Sequence, residues 1–343
     1  MTLAEFWFVL LAYLFAGYFF LEGFDFGVGA LLPVLGRDDT DRRVLINTIG
    51  PFWDANETWV IVAGASMFAA FPYWYATLFS GFYLALLVLL AALILRGVAF
   101  EYRGKVDDVR WRRRWDLCIV LGSVLPAVLW GVAFANIVRG VPIDADGNFT
   151  GTLLTLLNPY GLLGGLTTLA LFVTYGAVYI ALKTVGPVRG QARLLAGRVG
   201  VVTAALAVAF LLWTTLSYGD AWSGLLSVLT AAAFVAGLAA NRGEREGWAF
   251  ALTGTSIVLA VASLFVALYP DVLPSTTDAA FSLTIENASS TPRTLAVMSW
   301  VAVLMAPVVL AYQGWTYWAF RKRIGRESIP TELPHGAANT LGR

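Results

Sequence analysis

Long apolar runs separated by short polar breaks dominate this chain. They lie near Phe6–Leu32, Val44–Ala70, Ala76–Val98, Trp115–Val138, Pro159–Leu182, Val201–Leu216, Trp222–Ala240, Trp248–Tyr269 and Leu295–Phe320. A helix of about 20 apolar residues, rising 1.5 Å per residue, crosses a hydrocarbon core roughly 30 Å thick. The pattern therefore predicts an all-α fold, a polytopic transmembrane helical bundle of about nine spans. Pro72, Pro142, Pro270 and Pro274 fall in the connections, where helix breakers belong, and Pro33 is expected to end the first helix early. A single integral membrane domain over 1–320 and a polar cytoplasmic tail over 321–343 follow. No repeat is visible residue by residue, although a division into two four-helix units plus one extra helix is compatible with the spacing.

Composition closes off the soluble alternative. Hydrophobic residues make up 59 % of the 343 and charged residues only 13 %, whereas an ordinary globular domain is about half apolar and a quarter charged. The one cysteine, Cys118, forms no internal disulfide. The first residues, Met1 to Glu5, carry no basic cluster, so they are read as the start of the first span and not as a removable signal peptide.

Charge sets the orientation. Taking every second connection as one side gathers Arg37, Arg42 and Arg43, then the stretch from Arg96 to Arg114. It continues through Lys183 to Arg198, Arg242 and Arg245, and the tail from Arg321 onward. Of the 23 Lys and Arg residues only Arg139 and Arg293 fall opposite. The positive-inside rule then places the N-terminus outside and the C-terminus in the cytoplasm, which requires an odd number of spans. Tyr73, Trp74, Tyr75, Trp111, Trp115, Trp315 and Trp318 sit at span ends, as interfacial anchors do. The basic stretch Arg110–Arg114 is better read as a loop facing lipid headgroups than as a nucleic-acid patch.

Candidate chemistry is confined to the first two spans. Glu22 and Asp25 lie in Leu21-Glu22-Gly23-Phe24-Asp25-Phe26-Gly27-Val28-Gly29; Asp54 and Glu57 lie in Pro51-Phe52-Trp53-Asp54-Ala55-Asn56-Glu57. Each acidic pair is spaced i, i+3 and shares one helix face. Counted from Arg37 and Arg43, Asp25 and Asp54 lie roughly 18 and 16 Å deep, and Glu22 and Glu57 roughly 22 and 21 Å. A carboxylate there costs several kcal/mol unless paired, protonated or wetted, and neither helix carries a base at that depth. The two pairs are expected to face one another without a neutralising cation, sharing protons or lining a hydrated path from the cytoplasm. Two plainer roles compete. Asp54 and Glu57 follow Pro51 and suit the first turn of a shorter helix, and Asp25 suits a structural hydrogen bond. Gly23, Gly27 and Gly29 are expected to admit another backbone closely.

The only histidine, His335, sits in the tail, and Met1, Met67, Met298, Met305 and Cys118 form no convergent set. No haem-attachment, zinc or phosphate-loop motif is present. Alone, the chain is expected to hold no redox centre and no metal.

These stretches resemble subunit II of cytochrome bd ubiquinol oxidase (CydB). The resemblance is carried by Glu22 to Gly29, by Arg42-Arg43-Val44-Leu45-Ile46-Asn47-Thr48-Ile49-Gly50-Pro51 with Trp53 to Glu57, and by Phe68 to Pro72. Leu93 to Arg103, Leu283 to Ala288 and Ala311 to Trp318 extend it. The first hundred residues match most specifically and the middle mainly in hydropathy; Ala55 stands where many relatives have Gly. The resemblance implies a bacterial cell-membrane complex of the respiratory chain that oxidises quinol and reduces dioxygen to water. It implies a heterodimer with a haem-bearing subunit I (CydA) that holds haems b and d, and it leaves room for a small single-span accessory subunit. No cofactor is expected on this chain, although a structural quinone lodged against it is compatible. The family's proton-path acids correspond to Asp25 and Asp54, with Glu57, Glu22 and Asn56 as looser members. The competing readings are a proton-coupled secondary transporter acting alone and a scaffold with no proton route.

Overall fold

The computed structural model describes residues 1–329; His335 and the rest of the tail lie outside the described residues. Among the described residues twelve α-helices follow one another: α1 (Leu3–Leu35), α2 (Asp39–Ile49), α3 (Trp53–Ala70), α4 (Pro72–Gly81), α5 (Tyr83–Tyr102), α6 (Val109–Arg139), α7 (Leu153–Leu156), α8 (Pro159–Lys183), α9 (Gly186–Ser217), α10 (Ala221–Arg242), α11 (Glu246–Leu268) and α12 (Pro292–Ala319). A small antiparallel pair, β1 (Asp271–Leu273) and β2 (Leu283–Thr284), lies between α11 and α12. Among the described residues, eight helices are long and apolar enough to cross a membrane: α1, α5, α6, α8, α9, α10, α11 and α12. The chain is a polytopic helical membrane protein.

Three boundaries differ from the hydropathy reading. The run expected as one span over Val44–Ala70 is two helices, α2 and α3, broken at Gly50-Pro51-Phe52. Pro51 lacks the N–H that would continue the ladder. The run Ala76–Val98 is likewise broken at Phe82, and α5 continues to Tyr102. Pro33, expected to end α1, lies inside it; so near a helix end the lost bond is cheaply absorbed.

α1 is the central post, packed against α3, α6, α8 and α11. Its glycines are not equivalent. A Cβ on Gly27 would stand 2.7 Å from the Cα of Gly176 on α8, so there the two backbones touch. Gly23 and Gly29 instead make room for side chains, Phe172 and Ser123. A third crossing matters for the site. A Cβ on Gly122 of α6 would lie 2.6 Å from the Ala92 carbonyl and the Arg96 Cβ, so this glycine lets α5 lie against α6.

The two ends of the bundle differ in chemistry. At one end Arg103 pairs with Asp39 (2.7 Å) and Asp116 (2.5 Å), Arg42 with Asp116 (2.8 Å), and Arg326 with Asp38 (2.7 Å) and Asp41 (2.8 Å). The described part of the polar tail is tied to this end through Arg326. Ile324 also exchanges backbone hydrogen bonds with Lys183 and Val185. At the other end Val141 and Pro274 join the α6–α7 and β1–β2 connections, and Ser290 donates to Ala70 at the close of α3. Thus α3 runs from the basic end to the opposite one. α12 stands apart: of its 28 residues only Leu295 is buried.

Candidate functional site

Burial and helical phase decide which polar groups meet inside the bundle. Glu22 and Asp25, three residues apart on α1, are both fully buried, as are Asn56 on α3 and Arg96 on α5. The Arg96 guanidinium, through Nη2, pairs with Glu22 Oε1 and donates to Glu57 Oε2 at 3.2 Å. Its Cζ lies 4.6 Å from the centre of the Phe26 ring and 5.9 Å from that of Phe100. This corrects the expectation of acids with no cation. Arg96, grouped by alternation with the basic loops, points inward instead, because α5 continues beyond it to Tyr102. A buried carboxylate needs such a partner.

The residue that faces Asp25 also differs from the expected Asp54. Residues 54 and 56 differ by about 200° around a helix, so only one can turn inward, and it is Asn56. Asn56 Nδ2 donates to Asp25 Oδ2 at 2.7 Å and to the Leu21 carbonyl at 3.2 Å. Asp54 is exposed, at the head of an outward stripe that continues with Thr58, Ile61, Val62, Ala65 and Phe68. The structure therefore brings Glu22, Asp25, Asn56 and Glu57 together and leaves Asp54 outside. Glu57 lies between, its side chain 20 % exposed.

Around this cluster stand groups that sequence reasoning passed over. Gln313 Nε2 and the Tyr317 hydroxyl donate to Asn56 Oδ1 at 3.0 and 2.9 Å, and Trp59 Nε1 donates to Gln313 Oε1 at 2.8 Å. The Tyr317 ring stacks on Phe52, with centroids 4.4 Å apart and planes 8° from parallel. Phe52 belongs to the α2–α3 break, so the break gives α12 its seat. A glutamine in an otherwise apolar span was the one available signal, since such residues pair across membrane helices. Some capacity stays unused: Glu22 Oε2, Asp25 Oδ1 and Arg96 Nε and Nη1 are buried without a protein partner.

As a haem site the cluster does not fit. Its carboxylates are engaged by Arg96 and Asn56. Met67 sits among apolar neighbours on α3 and Cys118 on α6, so among the described residues no pair of haem-type ligands converges.

Membrane-length helices enclosing one arginine between two carboxylates, beside a third carboxylate held by an amide, define an integral membrane protein with a buried polar cluster. Comparison with known proteins narrows the class. Residues 3–320 match the family described as cytochrome bd terminal oxidase subunit II, and the chain belongs to that family. It is 43 % identical over 339 residues to cytochrome bd ubiquinol oxidase subunit 2 of Bacillus subtilis (strain 168), covering 96 % of this chain and 99 % of the relative. To cytochrome bd-I ubiquinol oxidase subunit 2 of Escherichia coli (strain K12) it is 37 % identical over 361 residues, covering 94 % and 95 %. A chain in the structure of bd oxidase from Geobacillus thermodenitrificans shares the fold, with a TM-score of 0.71 at 18 % identity, covering 94 % of this chain and all of the other.

Proposed function

We propose that this chain is the haem-free subunit II of a quinol:oxygen oxidoreductase in the bacterial cell membrane, and that it gives the complex a proton path from the cytoplasm. The haems b and d and the oxygen-reducing site belong to the partner, subunit I. The observation that carries the path is the buried Glu22–Asp25 pair. Each carboxyl has one oxygen engaged, by Arg96 and by Asn56, and one oxygen with no protein partner. A buried acceptor costs about 1–3 kcal/mol unless a proton or a water meets it, so these two oxygens are where a relayed proton would sit. One free oxygen on each of two neighbouring acids is what a relay requires.

The route reads outward from there. Asp25 and Glu22 sit in the core, Arg96 ties Glu22 to Glu57, and Glu57 reaches the surface near Asp54. Asp54 heads a stripe of α3 that is otherwise nearly all apolar, and α12 beside it exposes Trp300, Leu304 and Val308. A carboxylate on such a face needs cover, and a membrane partner subunit supplies it. The path would therefore leave this chain at the α3–α12 face, where subunit I docks.

In this reading α3 completes a nine-span bundle, with the basic end in the cytoplasm. Membership of an oxidase-subunit family takes away the ground for reading the same acids as a lone transporter's substrate site. The test is Asp25→Asn in the whole complex. Oxygen consumption with quinol is expected to fall at least tenfold, since positioned proton-transfer groups contribute factors of about 10²–10⁴. Assembly and haem absorbance are expected to remain. Wild-type turnover in a fully assembled Asp25→Asn complex would leave the chain a scaffold.

A further inference from the structure

The amide of Asn56 has four hydrogen-bonding positions, and all four are filled. Its orientation cannot invert. An indole N–H only donates, so Trp59 Nε1, 2.8 Å from Gln313 Oε1, decides which end of the Gln313 amide carries the oxygen. Gln313 must then present its nitrogen to Asn56, 3.0 Å from Oδ1. From the other side a backbone carbonyl only accepts, so Leu21 fixes the nitrogen end. Asn56 consequently shows Asp25 a donor and never an acceptor.

A carboxyl oxygen that receives a donor hydrogen at 2.7 Å has no room for a proton of its own on that side. We infer that Trp59, Gln313 and Tyr317 form an orientation lock on Asn56 that reserves Asp25 Oδ1 as the oxygen on which the relayed proton is carried. The inference rests on the reading of Asp25 as a proton carrier. Oδ1 is buried and has no protein partner, and the same holds for Oε2 of Glu22, one turn earlier on the same face of α1. The lock thus leaves one donor and one acceptor: the proton breaks from Asp25 Oδ1 and bonds to Glu22 Oε2, while Oε1 of Glu22 stays on Arg96. The hydrogen bonds of the three lock residues go to one another and to Asn56, and it is Asn56 that donates to Asp25. They are positioning residues, contributed largely by α12, a helix that otherwise buries almost nothing.

The test uses the assembled oxidase complex with Gln313→Met, Tyr317→Phe and both together. Each single variant leaves one donor on Asn56 Oδ1, so turnover is expected to fall no more than about threefold. The double variant strips both donors from Asn56 Oδ1 and leaves the Leu21 carbonyl as the one neutral contact that still orients the amide, so it is expected to lose about tenfold or more, in excess of the product of the singles, because one buried hydrogen bond is worth roughly that factor. The infrared carboxyl band assigned by its loss in Asp25→Asn supplies a readout that simple loosening does not move. It should stay single in the single variants and split in the double, as Asp25 meets both ends of the amide. If the double variant does not assemble, Trp59→Phe with Tyr317→Phe asks the same question with both rings retained. An unsplit band together with turnover equal to the product of the singles would overturn the lock. If Asp25→Asn itself turns over normally, the proton-carrier reading has failed and the lock fails with it. An inactive Asp25→Asn beside a silent double variant removes the lock alone.

Discussion

Replacing Arg96 by methionine removes the cation that, among the described residues, pairs with both Glu22 and Glu57. Glu22 would keep its full burial and lose its partner. Breaking a buried ion pair from one side costs about 3–5 kcal/mol, much of it the desolvation of the charge left behind. The stacking of the guanidinium on Phe26, 4.6 Å away, adds about 0.5–2 kcal/mol to that loss. The geometry also predicts a rescue. Arg96 Nε and Nη1 have no protein partner, so the pair is imperfectly satisfied, and replacing both members by apolar groups of similar volume should cost little. Arg96→Met is therefore expected to lower the melting temperature of the purified complex sharply, and Arg96→Met with Glu22→Leu to recover most of the loss. Thermal unfolding of the two singles and the double, in one detergent and at one pH, gives the coupling energy directly. A double variant as unstable as the sum of its singles would refute the reasoning, as would an Arg96→Met complex that melts with the wild type.

Three further outcomes follow from the same geometry. Asp54→Asn should leave the isolated fold unaffected, because that side chain is exposed. In the complex it should lower oxygen consumption by roughly tenfold or more if the route leaves by that face; unchanged turnover would move the exit elsewhere. Gly27→Ala drives a methyl into the α8 backbone at Gly176, 2.7 Å from its Cα. It should cost about 1–3 kcal/mol by overpacking, read as a loss of assembled complex, and a normal yield with a normal melting temperature would contradict the close crossing. At the basic end, the backbone N–H of Asp41 and the Arg326 guanidinium hold the Asp38 carboxyl below its ordinary range. A depressed carboxyl lends stability above its unfolded pKa of about 3.9 and loses it as pH falls through the lower folded value. Amide-exchange protection of residues 321–329 should thus be flat from pH 7 to 5, and reduced throughout by Asp38→Asn.

Much of this was legible before any coordinates. The apolar runs gave the helical class, and the i, i+3 acids in the first two of them gave the residues around which the polar cluster forms. Pro51 already hinted at a helix start just before Asp54, and the structure has one at Trp53. Arg96 escaped because it lies near the end of an apolar run beside a genuinely basic loop, where counting by sides treats every arginine alike. Its depth depends on α5 continuing to Tyr102 and on Gly122 letting α6 come close. Asp54 was paired with Asp25 by depth alone, and depth does not fix rotation about a helix axis. Gln313 and Tyr317 stand more than 250 residues from Asn56; a contact of that kind leaves no local trace.

The central claim is that protons bound for the oxygen-reducing site pass through Asp25. Time-resolved proton uptake during a single turnover of the reduced complex with oxygen tests it most directly, comparing wild type with Asp25→Asn at matched haem content. Oxygen is expected still to bind in the variant while uptake from the medium slows by about tenfold or more. Uptake at the wild-type rate in that complex would contradict it.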